Sequence, residues 1–328
     1  MTSTMRIRGY FLLALLIALL PACATTSKTA VATASNPPFP NSHFVTINDE
    51  EVHYRSWASA TTPAKGQILL VHGFCGSTFT FRKTAEPLTQ AGFEVVAIDI
   101  PPFGYSERTR GADQSPQGRA KVAWGLIDAI DGDSDDDWIL MGHSMGAGTV
   151  GAMALSKPER TQAAIFVDGA MGLGSTSMVK ARKSIVRVVN FPPFKGAFKC
   201  TATHVLFRRG MMKRFVRYAY QAKPDDEAID GYRVPLLIPG TASGILDLFN
   251  KQTKPAPLEP SQIRAPSLII WGEKDPLAAR KMGEALHQSI TGSTFIVMPG
   301  AGHCPMETHA DAFNKLVLDF VNESVDKP

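Results

Sequence analysis

Trp138-Ile139-Leu140-Met141-Gly142-His143-Ser144-Met145-Gly146-Ala147-Gly148 is the stretch whose reading decides the fold. Trp138 to Met141 form a short apolar run of the kind that makes a buried strand. From Ser144 to Leu155 small residues gather on one helical face. Between the two lies Gly-His-Ser-Met-Gly. A serine hydroxyl is a poor nucleophile until a base takes its proton. A sharp strand-to-helix turn lifts that hydroxyl into the open, and glycines let the backbones crowd around it. As letters alone the pattern is weak, since a tight glycine turn with a structural serine reads the same way. Its strand–turn–helix setting makes Ser144 a candidate nucleophile.

Outward from this turn, strands and helices alternate. Strands are predicted over residues 43–47 and 52–57, around Asn48-Asp49, and over 67–71, 93–98, 138–141, 163–167, 267–271 and 294–298. Helices are predicted over 81–91, 117–130, 144–155, 277–290 and 310–321. This order implies an α/β fold with a mostly parallel central sheet and helices on both faces. The alternation breaks between about 170 and 250, which is too long for a plain loop. Phe, Met, Lys and Arg recur there at helical spacings, so the interval reads as an inserted helical cap. The division is then 42–169 and 251–328 as core and 170–250 as cap.

A serine nucleophile needs a base. Among eight histidines, His303 alone combines a late chain position with a glycine-rich loop, Pro299-Gly300-Ala301-Gly302-His303-Cys304-Pro305. His143 flanks the serine and reads as packing beneath it, and His72 as bracing the loop after the 67–71 strand. His43, His53, His204, His287 and His309 read as surface or packing residues. The acid that fixes the imidazole tautomer is read as Asp275, in Trp271-Gly272-Glu273-Lys274-Asp275-Pro276. Glu273 is its near competitor, and Asp168, which ends the 163–167 strand, is a second alternative. The oxyanion of an acyl-transfer intermediate needs two N–H donors. They are assigned to the backbone of Met145 and of Phe74, the latter in His72-Gly73-Phe74-Cys75-Gly76.

With those motifs in place the chain resembles the α/β-hydrolase fold superfamily, in its cap-bearing branch of serine hydrolases. The resemblance rests on His72-Gly73-Phe74, Asp99-Ile100-Pro101-Pro102-Phe103-Gly104-Tyr105-Ser106, the Ser144 turn, Gly272-Glu273-Lys274-Asp275-Pro276 and Gly302-His303-Cys304-Pro305. It runs from about residue 42 to the end. It implies hydrolysis of an ester, with an acyl or lipid-like substrate, through Ser144, His303 and Asp275, and with no cofactor and no metal. Carbon–carbon hydrolases and perhydrolases share this triad and are the alternative. Relatives that open epoxides or remove halogens use an aspartate nucleophile, against which Ser144 speaks. A catalytically silent surface-binding lipoprotein is a further alternative, disfavoured by an intact triad in the right chain order.

The chain has 328 residues, 44% of them hydrophobic and 20% charged, with a net charge of +4. That balance fits a globular protein and gives no sign of nucleic-acid binding. Arg6 and Arg8 precede 12 apolar residues, Gly9 to Leu20, too few to span a bilayer comfortably. Residues 1–22 read as an export signal. Leu20-Pro21-Ala22-Cys23 looks like a lipobox with Cys23 as the lipid-attachment residue, although Pro21 departs from the usual pattern. Residues 23–41 read as a disordered tether. The expectation is an exported, lipid-anchored bacterial envelope protein, or otherwise a periplasmic or secreted one. Of the other cysteines, Cys75 and Cys304 adjoin the two site loops, and whether they are bonded turns on a separation that the letters do not give.

Between Ser175 and Pro224 there are 12 Lys or Arg and no Asp or Glu. Arg208, Arg209, Lys213, Arg214 and Arg217 form the densest group. A solvated helical face accounts for such a run. So does a cap that rests on an anionic membrane surface, or one that receives an acidic substrate. Phe191, Phe194, Phe198, Leu206, Phe207 and Phe215 in the same interval are apolar enough to hold an acyl chain.

Overall fold

The computed structural model describes residues 36–109, 111–132, 134–171, 205–250 and 257–325. The expected signal over 1–22, Cys23, most of the expected tether, Cys200, Phe191, Phe194 and Phe198 lie outside these residues.

Eight strands make one sheet: β1 Ser42–Ile47, β2 Glu50–Trp57, β3 Gly66–Val71, β4 Phe93–Ile98, β5 Trp138–His143, β6 Thr161–Val167, β7 Ser267–Gly272 and β8 Thr294–Met298. They stand in the order β1-β2-β4-β3-β5-β6-β7-β8. β1 and β2 form an antiparallel hairpin on β4, and the other six strands run parallel. The hairpin turns at Asn48 and Asp49, both at positive φ (50° and 63°). This is the twist-matched two-residue turn that Asn and Asp tolerate best.

Alternation within the parallel strands feeds two cores. Ile68, Leu70, Val95, Ala97, Ile139, Met141 and Ile165 face one side. There they meet α1 (Ala85–Gln90) and the last helix, α8 (Ala310–Val325), through Leu88, Phe313 and Val317. Leu69, Val71, Val96, Ile98, Leu140, Ala164 and Phe166 face the other. That side is covered by α2 (Pro116–Asp131), α3 (Met145–Ser156) and α7 (Lys281–Ser289), through Trp124, Ile127, Val150 and Leu286. Truncating one such fully buried Leu or Ile to Ala costs about 2–5 kcal/mol.

Two predicted helices are shorter than the sequence suggests. The segment after β3 makes a 3₁₀ turn, Thr78–Phe81, before α1 begins. The Ser77 hydroxyl accepts the Phe79 amide and Asp99 Oδ1 the Thr78 amide, which fixes a tight turn rather than an α-helical start. At residue 277 the chain is still turning, because Asp275 Oδ1 accepts the amides of Leu277 (2.7 Å) and Ala278 (3.0 Å). The tether boundary also moves inward. Phe39 lies under the Arg55 guanidinium, 4.1 Å from ring centre, and the Asn41 amide donates to Ser56 O, so the chain is docked on the sheet before residue 42.

Between β6 and β7 lie α4 (Arg209–Tyr220), α5 (Asp226–Leu236) and α6 (Thr241–Asn250). Arg82, on the core, joins them to it. Its guanidinium pairs with the buried Glu307 and approaches Asp225 (3.9 Å) and Glu227 (3.7 Å) at the start of α5. Tyr232 of α5 donates to Glu307 Oε1 (3.1 Å).

Burial pushes the Glu307 carboxyl up to about 7, against the pull of Arg82 and the Tyr232 hydroxyl. A carboxyl raised in the folded state keeps its proton longer there than in the unfolded chain. Its contribution to stability is therefore lost as pH rises from the ordinary carboxylate range to about 7. Removing Arg82 steepens that loss. Arg82→Met should cost about 3 kcal/mol at about pH 8, where Glu307 is a buried anion, and much less at about pH 5, where it is neutral. Denaturant melts at the two pH values check this, and equal losses would show that the pair is not an ion pair.

Candidate active site

Ser144 follows the last residue of β5 and precedes the first residue of α3. Its backbone is at φ 54°, ψ −113°. A non-glycine residue pays about 1–3 kcal/mol for such a conformation, so its surroundings must enforce it. The Ser144 amide donates to Val167 O (2.8 Å) at the end of β6. A Cβ on Gly146 would stand 2.2 Å from Val71 O, so only glycine lets α3 start this close to β3.

His303 is fixed by its own backbone. Its amide donates to Ala219 O in α4 (2.8 Å), and its carbonyl accepts from His143 Nε2 (2.8 Å). The ring spans the other two candidates: Nε2 lies 3.0 Å from Ser144 Oγ and Nδ1 2.7 Å from Asp275 Oδ2. Burial pushes the Asp275 carboxyl up. The bond and charge of His303 and the amides of Ala278 and Leu277 outweigh it, and Asp275 sits below the ordinary carboxylate range. Glu273 points elsewhere and accepts the Gly300 amide (2.8 Å). Asp168 is fully buried, with Oδ1 on the Gly272 amide (2.7 Å). One ligand atom each from Asp168, Asp275 and His303 lie within 4.8 Å of one another. A metal held there would take one ring nitrogen of His303 from its hydrogen bond.

Two flanking histidines are held neutral. Burial first, then the neighbouring His303, push His143 down to about 3. His72 is pushed down by burial. Its Nδ1 donates to Gly73 O (2.7 Å) and its Nε2 accepts the Ile100 amide (3.0 Å), which ties the loop after β3 to the end of β4. That loop passes close to the serine: a Cβ on Gly73 would stand 3.0 Å from Ser144 Cβ. The Phe74 ring is 42% exposed and makes an edge contact with Phe103 at 5.3 Å, so it is not a core residue. Met145 opens α3, where first-turn amides lack intrahelical acceptors. Cys75 and Cys304 are free thiols.

A second Ser-His-Asp chain went unread in the sequence. His53 Nδ1 lies 2.7 Å from Asp99 Oδ2 and His53 Nε2 2.8 Å from Ser42 Oγ. Of the two roles expected for it, surface or packing, His53 takes the buried one, and it is hydrogen-bonded at both ring nitrogens. Asp99 also accepts the amides of Thr78 and Tyr105. Ser42 lies in an edge strand, and its hydroxyl accepts the Phe39 amide (3.2 Å). This trio ties β1, β2 and the end of β4 together. A sequence signal was available: Asp99 directly follows an apolar strand, and His53 sits at an inward position of β2.

The positive charge of α4 is less uniform than the sequence suggests. Arg209 pairs with Asp226 (2.7 Å) and Asp230 (3.2 Å) of α5. Among the described residues, Arg214 and Arg217 make no ion pair. With Tyr218, Gln221, Ala222 and Lys223 they line a surface hollow of about 480 Å³, which none of the three candidate residues touches.

The α/β hydrolase fold family model matches residues 66–310, and the chain belongs to that family. It is 27% identical over 280 residues to an uncharacterized hydrolase, YugF, of Bacillus subtilis, covering 84% of this chain and 96% of that one. It is 26% identical over 290 residues to a 2-hydroxy-6-oxononadienedioate/2-hydroxy-6-oxononatrienedioate hydrolase of Cupriavidus pinatubonensis, covering 85% and 95%. Among solved structures it is similar to the epoxide hydrolase CorEH, with TM-score 0.70, 16% identity and coverage of 86% and 98%. The last shows the fold alone. The expected fold class is thereby borne out.

A Cβ on Gly302 would stand 2.4 Å from Ala219 O and 2.6 Å from Tyr220 O, both backbone atoms that cannot swing aside. Gly302→Ala should therefore displace His303 from Ser144. Reaction of the serine with a fluorophosphonate probe should slow about a hundredfold, the usual effect of misplacing a reacting group by roughly 1 Å. A rate equal to that of the unaltered protein would show that the loop shifts without moving the ring.

Proposed function

We propose that this hydrolase cleaves esters of small or lipid-like acyl groups through an acyl-enzyme on Ser144. The observation that carries the reading is the chain Ser144 Oγ to His303 Nε2 (3.0 Å) and His303 Nδ1 to Asp275 Oδ2 (2.7 Å) on a left-handed serine. In this reading His303 takes the Ser144 proton as the oxygen attacks the carbonyl, and returns it to the departing alcohol. Water then attacks the acyl-enzyme by the same route in reverse. Asp275 holds the Nδ1–H tautomer and stabilises the imidazolium. The amides of Met145 and Phe74 receive the oxyanion. The inserted helices in 170–250 form the cap that walls the substrate.

A second reading is favoured by the Cupriavidus relative, whose name gives a 2-hydroxy-6-oxo-nonadienedioate or -nonatrienedioate as substrate. The same three residues then cleave a carbon–carbon bond beside a ketone. A panel of p-nitrophenyl esters of graded acyl length, run beside a 2-hydroxy-6-oxo-dienoate, separates the two. A specificity constant at least about a thousandfold higher on one side decides between them.

Ser144→Ala should abolish turnover on whichever substrate wins, by several orders of magnitude, while the melting temperature holds. Asp275→Asn should lower turnover by about 10⁴. Mass spectrometry of the fluorophosphonate adduct should find it on Ser144 and not on Ser42. An adduct on Ser42, or activity near normal in Ser144→Ala, would overturn the assignment.

We also propose that residues 1–22 direct export, that Cys23 carries lipid, and that α4 faces an anionic membrane surface. Supporting this are exposed Met211, Phe215 and Tyr218, one helical stripe beside Arg214 and Arg217. Among the described residues no helix is long and apolar enough to cross a membrane. Replacing Arg208, Lys213 and Arg214 with Glu should weaken sedimentation with phosphatidylglycerol vesicles at low salt. The difference should vanish as salt shortens the Debye length to a few ångströms. Unchanged sedimentation at low salt would leave α4 a solvated face.

A further inference from the structure

Asp168 directly follows β6 at φ 45°, fully buried, beside Asp275 and His303. Its two oxygens have different surroundings. Oδ1 accepts the Gly272 amide. Oδ2 is buried and has no hydrogen-bond partner among the described residues. Asp275 is better supplied, with His303 Nδ1 on one oxygen and the amides of Leu277 and Ala278 on the other. Two carboxyl groups therefore share a buried site with one imidazole. Among the described residues, no Lys or Arg is paired with either of them.

The other titratable groups around them supply no positive charge. His143, its ring centre 4.9 Å from that of His303, is held neutral by burial. The Cys304 thiol keeps its proton, pushed up by burial and by Glu307, Asp168 and Asp275. Two like charges this close, with at most one cation between them, do not both ionise. The carboxyl with three donors ionises, and the one with a single donor keeps its proton.

We propose that Asp168 is a positioning residue for the reaction: a neutral carboxylic acid whose O–H donates to the Asp275 carboxylate and holds it against His303 Nδ1. This rests on the reading of Ser144, His303 and Asp275 as the triad. Burial and the Asp275 charge, opposed by the Gly272 amide, act on Asp168 in the same sense and lift its carboxyl well above the ordinary range. The proton stays on Asp168 throughout, and Asp168 touches no substrate. Its effect is on His303. A donor on Asp275 draws carboxylate charge away from the oxygen that faces His303 Nδ1, so Asp275 attracts a positive charge on that ring less than a bare carboxylate would.

The test is the pH dependence of fluorophosphonate reaction at Ser144, which reports the His303 base without requiring the natural substrate. Asp168→Asn keeps both bonds, since its carbonyl accepts from Gly272 and its NH₂ donates to Asp275. Its rate should stay within about threefold of the unaltered protein, with the acid limb in place. Asp168→Ala removes the donor, so the acid limb should move up by about half a unit to one unit and the rate should fall about tenfold. Infrared spectra at neutral pH should show a carboxylic-acid C=O band that is missing from Asp168→Asn. That readout stands even if the alanine variant does not fold.

Three results overturn the proposal while leaving the triad reading intact. One is an acid limb that moves down in Asp168→Asn, as it would if an ionised Asp168 had been supporting the imidazolium. Another is an unchanged limb in a folded Asp168→Ala. The third is an infrared spectrum in which Asp168→Asn loses no acid band. If Ser144 never labels in the unaltered protein, the serine-hydrolase reading fails first, and this inference with it.

Discussion

The left-handed backbone of Ser144 is the constraint on which the rest of the site depends. A strand that ended in an ordinary turn would bury the hydroxyl against α3. Here the chain reverses within one residue, and the cost of that conformation, about 1–3 kcal/mol, is met by close packing on three sides. Val167 O takes the Ser144 amide, the start of α3 backs onto Val71 O at Gly146, and Gly169 passes Ser144 O so closely that a Cβ would stand 2.2 Å away. These contacts come from β3, β5 and β6, adjacent parallel strands whose ends share one edge of the sheet. Asp168 at the end of β6 and Asp275 beyond β7 reach the same edge. A parallel sheet thus gathers residues from distant sequence at its carboxyl ends.

The two Ser-His-Asp chains show what such a hydrogen-bond chain does and does not confer. Around Asp99 the amides of Thr78 and Tyr105 saturate the carboxylate, and the Ser42 hydroxyl already accepts a backbone amide. That trio is structural: it locks the hairpin β1–β2 onto β4. Around Asp275 the serine sits in a strained turn beside the amide that opens α3 and the loop after β3. Geometry among the three side chains is the same in kind. The difference lies in the backbone that presents the serine.

Much of this could be read from the letters, and the reasons are local. Every core strand was legible because buried parallel strands are continuous apolar runs bounded by Gly, Asp or Pro. Ser144 and His303 were legible because glycines bracket both. Asp275 and Asp168 were both visible as acids at strand ends, but the choice between them needed distances: His303 Nδ1 reaches Asp275, and Asp168 stands behind it. The late start of the helix after β3 was not legible, because it depends on Asp99, a residue 21 positions away, accepting the Thr78 amide. His53 was missed for the same reason, its partner being 46 positions distant. The pairing of Arg209 with Asp226 and Asp230 is likewise tertiary, since those carboxylates lie on α5, beyond the turn that closes α4.

The inserted helices are joined to the chemistry more tightly than a detachable cover would be. The carbonyl of Ala219, near the end of α4, receives the His303 amide, and Gly302 packs directly on the carbonyls of Ala219 and Tyr220. Glu307, one turn beyond His303, is gripped by Tyr232 from α5 and by Arg82 from the core. Movement at this end of α4 would pull on the histidine itself. The opposite end is different in kind: Arg208, Met211 and Phe215 are exposed, and it is tied to α5 through Arg209 and through the Phe207 carbonyl, which accepts from Arg233. One end of α4 therefore bears directly on the distance between His303 and Ser144, while the exposed side chains at the other end make no contact with the loop that carries His303 among the described residues. Variation that changes what the protein accepts should collect toward the start of α4, and variation near Ala219 and Gly302 should instead change how fast the serine reacts.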